Sequence, residues 1–390
     1  MFHIKCLNKI SRAGTGRFGE NYTCGGDVEN PDAILVRSAP LHDAAFAKNL
    51  LAIARAGAGV NNIPLERCSG QGIAVFNTPG ANANAVAELV VAALLLSSRR
   101  ILAGAAWCGT LKGKGPQVAP LIEKGKSRFA GPEIRGKTLG VIGLGAVGTL
   151  VANAGHALGM EVYGYDPYLS VDSAWRLSRG VRHARSLDAV YKSADYVTVH
   201  VPLLPETEHM IGADAVAKMK RGVRLLNFAR GGLVDSAAVL GGLRSGKIAR
   251  YATDFPDESL LGEENVIALP HLGASTPESE DNCARMAADE LMDYLEDGNI
   301  RNSVNLPAVS MARTKGCTRI CLIHRNIPNT ISRLSGILAK AGINIENMQS
   351  RAKKAYAYTI LDVTGAVSGS TAGNLEAVPE IIRARVLAAE

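Results

Sequence analysis

The sequence predicts an α/β protein: two doubly wound, parallel-sheet domains and a small α+β domain at the C-terminal end. Three observations predict it. Residues 138–148 run from a short apolar strand through a glycine cluster into the start of a helix. On both sides of that turn, apolar runs alternate with helix-like stretches, the rhythm of parallel strands covered by helices. Residues 317–390 read β-α-β-β-α, with an extra short strand near 386, which is a ferredoxin-like pattern.

In residues 1–82, the runs 33–36, 52–54 and 73–76 are apolar enough for buried strands, and 41–51 has the composition of a helix. No G-x-G-x-x-G opens this half. The loop holding Gly57, Ala58 and Gly59 follows a strand end, where α/β folds place ligands, and its N–H groups can hold a carboxylate. A plain tight turn is the alternative. Residues 83–96 form a long helix, and 97–136, rich in Gly, Lys and Pro, read as a connection over the surface. Strands follow at 138–142, 161–165, 195–200, 223–228, 249–254 and 265–269, six in a Rossmann-like sheet. The stretch 276–298 is a helix with Met286, Leu291 and Leu295 on one face, and it returns to the first half. The expected domains are therefore 1–82 with 275–305, then 83–274, a linker at 306–316, and 317–390. Within the last, strands are expected at 319–324, 343–349 and 356–363 and helices at 331–341 and 375–387.

The glycine turn carries the first chemistry. Gly143 permits the tight turn, Gly145 lets the backbone approach a pyrophosphate, and Gly148 allows close packing of helix on strand. Ala146 and Val147 open the helix, whose free N–H groups and dipole face an anion. A second strand ends at Asp166, about 20 residues on, as a ribose contact requires. An ordinary glycine-rich turn needs neither the flanking elements nor the acid. The expectation is a dinucleotide site, and Asp166 favours NAD because its carboxylate repels a 2′-phosphate.

Composition narrows the partners. The 390 residues carry a formal net charge of +7, with 47% hydrophobic, 20% charged and 5% aromatic residues, a globular profile. Basic residues are scattered except for Lys112, Lys114, Lys124, Lys126 and Arg128, so nucleic acid is not expected. A basic surface suits a small anionic substrate. The seven cysteines form no C-x-x-C pair, which fits reduced thiols in the cytoplasm. No signal-peptide core follows Lys5 and Lys9. The apolar run 85–96 contains Glu88 and is too short for a bilayer, so neither a membrane nor a metal partner is expected.

Three strand ends offer reactive groups. Arg230 stands past one, placed to grip a carboxylate through two parallel hydrogen bonds, unless it forms a surface ion pair. Asp254 ends another, with Asp257 and Glu258 in the loop after it, where acids are usually just solvated. His271 follows a third and is a proton-transfer candidate, although a lone histidine is most often structural or exposed.

The stretches 143–148, 200–203 (His-Val-Pro-Leu), 227–235 (Asn-Phe-Ala-Arg-Gly-Gly-Leu-Val-Asp) and 270–276 (Pro-His-Leu-Gly-Ala-Ser-Thr) resemble the D-isomer-specific 2-hydroxyacid dehydrogenases, over nearly the whole chain. Within that family, Arg37-Ser38, the run 77–84, Ala87-Glu88-Leu89 and the C-terminal domain resemble the branch that oxidises 3-phosphoglycerate at the head of serine synthesis. The resemblance implies an NAD-dependent oxidoreductase, a homodimer or homotetramer in the cytoplasm. It implies His271 as the base, Glu258 (Asp257 being the alternative) as the acid that stabilises its imidazolium, and Arg230 on the substrate carboxylate. To Gly143, Gly145, Ala146, Val147, Gly148 and Asp166 it adds His200, Val201, Pro202, Ala229, Arg230, Asp254, His271 and Gly273 as cofactor contacts. Arg37, Ser38, Gly57, Ala58, Gly59 and Asn82 join Arg230 and His271 around the substrate, and Arg37 meets its phosphate. Closure of the two domains excludes water. The C-terminal domain resembles an ACT domain, an amino-acid-binding module, with His324, Asn326 and Asn344 at the places that hold an L-serine effector. Asn329 stands where the family has glycine, and asparagine tolerates a positive φ. The competing readings are a dehydrogenase of an unphosphorylated 2-hydroxy acid and an NAD-sensing interaction protein like the family's corepressors.

Overall fold

The computed structural model describes residues 1–389, which form three sheets in two compact units, Met1–Asn82 with Pro277–Glu390 and Ala83–Thr276. The first sheet holds β1 (Phe2–Leu7), β2 (Tyr22–Gly25), β3 (Ala33–Val36), β4 (Ala52–Arg55) and β5 (Ala74–Asn77), all parallel in the order β2-β1-β3-β4-β5. Alternate residues serve opposite faces. Ile34, Val36, Ile53 and Val75 pack with Leu41, Leu50 and Ile63. Ala33, Leu35, Ala54 and Phe76 pack against Ala287, Leu291, Tyr294 and Leu295 of the helix Pro277–Asp297. Burial on both faces explains why β3 reads as an unbroken apolar run.

The expected helix at 41–51 is absent, and the segment is a loop. Its carbonyls are claimed from elsewhere: the Arg67 guanidinium takes the oxygens of Leu41, His42 and Ala44 at 2.7–3.0 Å. Leu41 also donates its N–H to Asn62 O. A helix over this stretch would have to give up those bonds.

The second unit contains β6 (Thr138–Ile142), β7 (Glu161–Tyr165), β8 (Arg182–His183), β9 (Tyr196–Val199), β10 (Val223–Asn227), β11 (Ile248–Thr253) and β12 (Val266–Ala268). They are parallel in the order β12-β11-β10-β9-β6-β7-β8. The sheet has seven strands rather than the expected six, because the two-residue β8 pairs with β7 at its edge. The stretch 97–136 is also more regular than a surface connection. It contains the helices Ile101–Gly109 and Val118–Gly125, gathered where the Trp107 ring meets Phe129 at 5.3 Å and Arg128 at 4.9 Å. No single helix among the described residues is long and apolar enough to cross a membrane.

The third sheet is antiparallel, β13 (Cys317–Arg325), β14 (Ile345–Lys353), β15 (Tyr356–Thr364) and β16 (Ile381–Leu387), in the order β14-β15-β13-β16. The expected helix at 375–387 is corrected here. A helix covers Gly369–Glu376 only, Pro379 interrupts, and the β-branched run that follows pairs with β13 as β16. One face packs on the two helices through Leu322, Leu334, Leu338, Leu361 and Leu375. The other face, Cys321, Ile323, Tyr358 and Ile360, joins the core beneath the first sheet. At that junction Arg319 is fully buried, and its five N–H groups reach both Asp362 oxygens and the carbonyls of Asp297, Met311 and Ala312 at 2.7–2.9 Å. Arg385 donates to the carbonyls of Tyr294 and Leu295, and Tyr358 to Gly298 O. Carbonyls at the end of the helix Pro277–Asp297, those of Tyr294, Leu295 and Asp297, thus find donors in this sheet.

Candidate active site

In the second unit the chain runs from β6 through β7 to β8 and then returns to β9 beside β6. The C-terminal ends of β6 and β9 are thus the switch point where such sheets bind ligands. Gly143 leaves β6 with φ +90°, and a Cβ there would lie 2.8 Å from the His200 carbonyl carbon. A Cβ on Gly148 would lie 1.8 Å from Gly143 O, so the helix Ala146–Ala157 approaches the turn more closely than any side chain permits. At Gly145 a Cβ would meet nothing within 4 Å. The turn is closed beneath and open above. The first-turn N–H groups of Ala146 and Val147 have no intrahelical acceptor and face that open side with the positive end of the helix dipole.

Asp166 follows β7, and its carboxylate is fixed at the rim of the turn, accepting from Leu144 N and Tyr168 N, both at 2.8 Å. His200 follows β9, with Nε2 2.9 Å from Thr198 Oγ1. Burial pushes its imidazole down to about 4, so it is neutral at pH 7. Val201 packs under Gly143, and Pro202 O accepts from Thr207 Oγ1 at 2.7 Å. These residues suit a dinucleotide: a backbone cradle without side chains, a helix N-terminus and an anchored acid.

The reactive groups gather at the ends of β10, β11 and β12. Buried Asn227 organises the first end, donating to Arg230 O at 2.8 Å and accepting from Ala229 N at 3.2 Å. The Arg230 guanidinium donates to Ala229 O at 2.7 Å and remains exposed. Asp254, just past β11, is 2% exposed. Its Oδ2 accepts from Gly273 N at 3.3 Å, and its Oδ1 has no partner among the described residues. Burial raises the Asp254 carboxyl above the usual range, and His271, the Gly273 N–H and Arg230 pull against that rise. Exposed His271 lies with its ring centroid 4.5 Å from that of Phe255. An acceptor left bare in a buried place is uncommon, and a ligand amide N–H would satisfy it.

Neither acid expected beside His271, Glu258 or Asp257, bonds to it among the described residues. Glu258 is exposed, and no hydrogen bond or ion pair joins it to His271 among the described residues. Asp257 caps the turn Glu258–Leu260 through Ser259 N at 2.9 Å and also binds Ser236 Oγ, which holds its carboxyl below the usual range. That cap leaves Glu258 outward and Asp257 engaged. His271 lies near enough to Asp254 to oppose the rise of that buried carboxyl. Asn227 and Phe255 were not singled out from the sequence, although an amide at a strand end beside the arginine was a usable signal.

In the first unit, Arg37 follows β3 and pairs with Glu280 at 2.7 Å, so its guanidinium is engaged rather than open. Ser38 N and Ala39 N both donate to Asn8 Oδ1, at 3.0 and 2.8 Å. Gly57 has φ +153°, and a Cβ there would lie 2.5 Å from Arg55 Nη1. Asn77 Nδ2 holds Ala58 O at 2.5 Å, while the N–H groups of Ala58 and Gly59 have no backbone acceptor. Asn82 is half-buried at the end of this segment.

The effector trio does not assemble within the chain. His324 stands opposite Ala357 on β15, whereas Asn344 bonds Thr364 at the other end of that strand, seven residues or about 23 Å away. Buried His324 has both nitrogens occupied, by Arg325 O and Thr359 Oγ1 at 2.9 Å. Asn326 donates to Lys354 O and Asn344 to Glu346. Asn329 has φ +66°, the conformation that glycine would otherwise supply.

Residues 91–273 match the family described as D-isomer specific 2-hydroxyacid dehydrogenase, NAD binding domain. The D-3-phosphoglycerate dehydrogenase of Archaeoglobus fulgidus is 39% identical over 296 residues, 73% of this chain and 53% of that protein. The Haemophilus influenzae protein of the same name is 33% identical over 355 residues, 87% of this chain and 82% of the relative. The chain spans about half the length of the Archaeoglobus relative and of other curated relatives that it matches. The NAD⁺-bound 3-phosphoglycerate dehydrogenase structure from Entamoeba histolytica shares the fold, with a TM-score of 0.58 and 24% identity over 78% of this chain and 98% of that one. The chain belongs to the D-isomer specific 2-hydroxyacid dehydrogenases and carries their NAD-binding domain.

Proposed function

We propose that the protein oxidises D-3-phosphoglycerate to 3-phosphohydroxypyruvate with NAD⁺, the entry step to L-serine. The observation that carries this reading is the convergence of Arg230, Asp254 and His271 at neighbouring strand ends of the sheet that bears the glycine turn. The names of the curated relatives support the choice of substrate. The bound nicotinamide supplies the hydride acceptor. His271 takes the C2 hydroxyl proton, and buried Asp254 stabilises the imidazolium that forms. Arg230 grips the substrate carboxylate through paired hydrogen bonds and, in reverse, polarises the C2 carbonyl. The Ala58 and Gly59 N–H groups supply further donors to that carboxylate. Arg37 meets the phosphate by exchanging Glu280, a half-exposed partner of small net worth. The 83–274 segment is the cofactor domain and 1–82 with 275–305 the substrate domain. The protein works as a homo-oligomer in the cytoplasm, with L-serine as the ligand of the C-terminal domain.

NAD⁺ reduction with 3-phosphoglycerate, measured against a panel of unphosphorylated 2-hydroxy acids, tests the reading. Preference for the phosphorylated substrate is expected, and turnover of the panel alone would refute it. Arg37→Ala should raise KM for 3-phosphoglycerate far more than for an unphosphorylated analogue. Equal losses would make Arg37 structural.

A further inference from the structure

Seven cysteines are free, and two of them meet. Cys6 on β1 and Cys24 on the edge strand β2 hold their Sγ atoms 2.9 Å apart, inside van der Waals contact. The register sets Ile4 opposite Cys24, so Cys6, two residues on, shares its face and lies diagonally across. Both are half-buried, whereas Cys68, Cys283, Cys317 and Cys321 are buried and Cys108 is exposed. The shared proton makes the pair unequal. Hydrogen bonding to its neighbour raises the Cys6 thiol and lowers that of Cys24. Cys6 is also two residues from Asn8, which has a left-handed backbone (φ +71°) and whose Oδ1 accepts from Ser38 N and Ala39 N.

We propose that Cys6 and Cys24 are a redox-reactive dithiol that closes to a disulfide by exchange with a small disulfide such as oxidised glutathione, and that closure shifts Asn8 and the turn after Arg37. The second clause rests on the substrate reading above; the first does not. In the exchange, Cys24 loses its proton to solvent and attacks one glutathione sulfur, expelling the other half as a thiolate. Deprotonated Cys6 then attacks Cys24 Sγ and expels the second glutathione. The two protein thiols are oxidised, one glutathione disulfide is reduced, and the two released protons end on the two glutathione thiols.

Exchange of the full chain with oxidised glutathione, followed by peptide mapping in the mass spectrometer, reads the site without any activity assay. A Cys6–Cys24 cross-link is expected, reversed by dithiothreitol. Cys6→Ser should trap glutathione on Cys24 as a stable mixed disulfide, and Cys108→Ser should leave the cross-link unchanged. No cross-link after exhaustive exchange, or a Cys6→Ser protein without glutathione on Cys24, overturns the site. In the oxidised protein KM for 3-phosphoglycerate should rise with kcat held. A complete cross-link with KM unchanged overturns the link to the turn after Arg37.

Discussion

Asp254 carries an oxygen that nothing among the described residues satisfies, and that fixes the first expectation. Asp254→Asn removes the buried charge facing His271, so the imidazolium loses its counter-charge. The acidic limb of the kcat/KM profile should move to lower pH, while Glu258→Gln leaves it in place. The reverse pattern would return Glu258 to the role expected from the sequence. The sequence does not show that Asp257 caps its own turn, because the spacing of acids does not reveal which one the backbone consumes. Glu290 gives a second test. Burial raises its carboxyl from 4.5 to about 8, and Asn302 holds only one of its oxygens. Between those pH values the folded protein holds a proton that the unfolded chain releases, so stability falls as pH rises through the window. Glu290→Gln, which keeps the Asn302 bond, should raise Tm at pH 8 and change little at pH 4.5, read by thermal scans.

Among the elements, the glycine turn was the most legible, because each glycine answers a separate steric demand. The pair Gly145 and Gly148 makes that separable. Gly148→Ala sets a methyl against a backbone oxygen and should cost about 1–3 kcal/mol or more in thermal or denaturant unfolding. Gly145→Ala enters open space, so Tm should hold while the Kd for NAD⁺, from titration calorimetry, rises. Loss of stability without loss of affinity at Gly145 would mean the open side is not where the cofactor lies. The segment 41–51 was illegible for the opposite reason. Its composition is helical, but Arg67, more than twenty residues away, removes the carbonyls a helix would use. Residues 375–387 mix both signals. Leu375 and Glu376 suit a helix, yet Pro379 and the β-branched pair Ile381 and Ile382 after it favour the strand that forms.

In the molecule as a whole, the C-terminal sheet shares a core with the first sheet, and nothing in the apolar run around Arg319 announced it. An arginine inside a strand names no partner; only the fold puts Asp362 and three carbonyls around it. Asp362→Ala strands a buried guanidinium and should cost about 3–5 kcal/mol. Hydrogen exchange should then show protection falling in β1–β5 and in β13–β16 together. Loss confined to β13–β16 would mean the two sheets unfold separately. The shared core also has a consequence for how the chain is made. Residues 1–82 leave the ribosome well before the helix and sheet that cover them, which come only after 276. At about 5–20 residues per second, the first sheet waits on the order of 15–60 s with one apolar face uncovered. The nascent first sheet is therefore the stretch a chaperone is expected to hold.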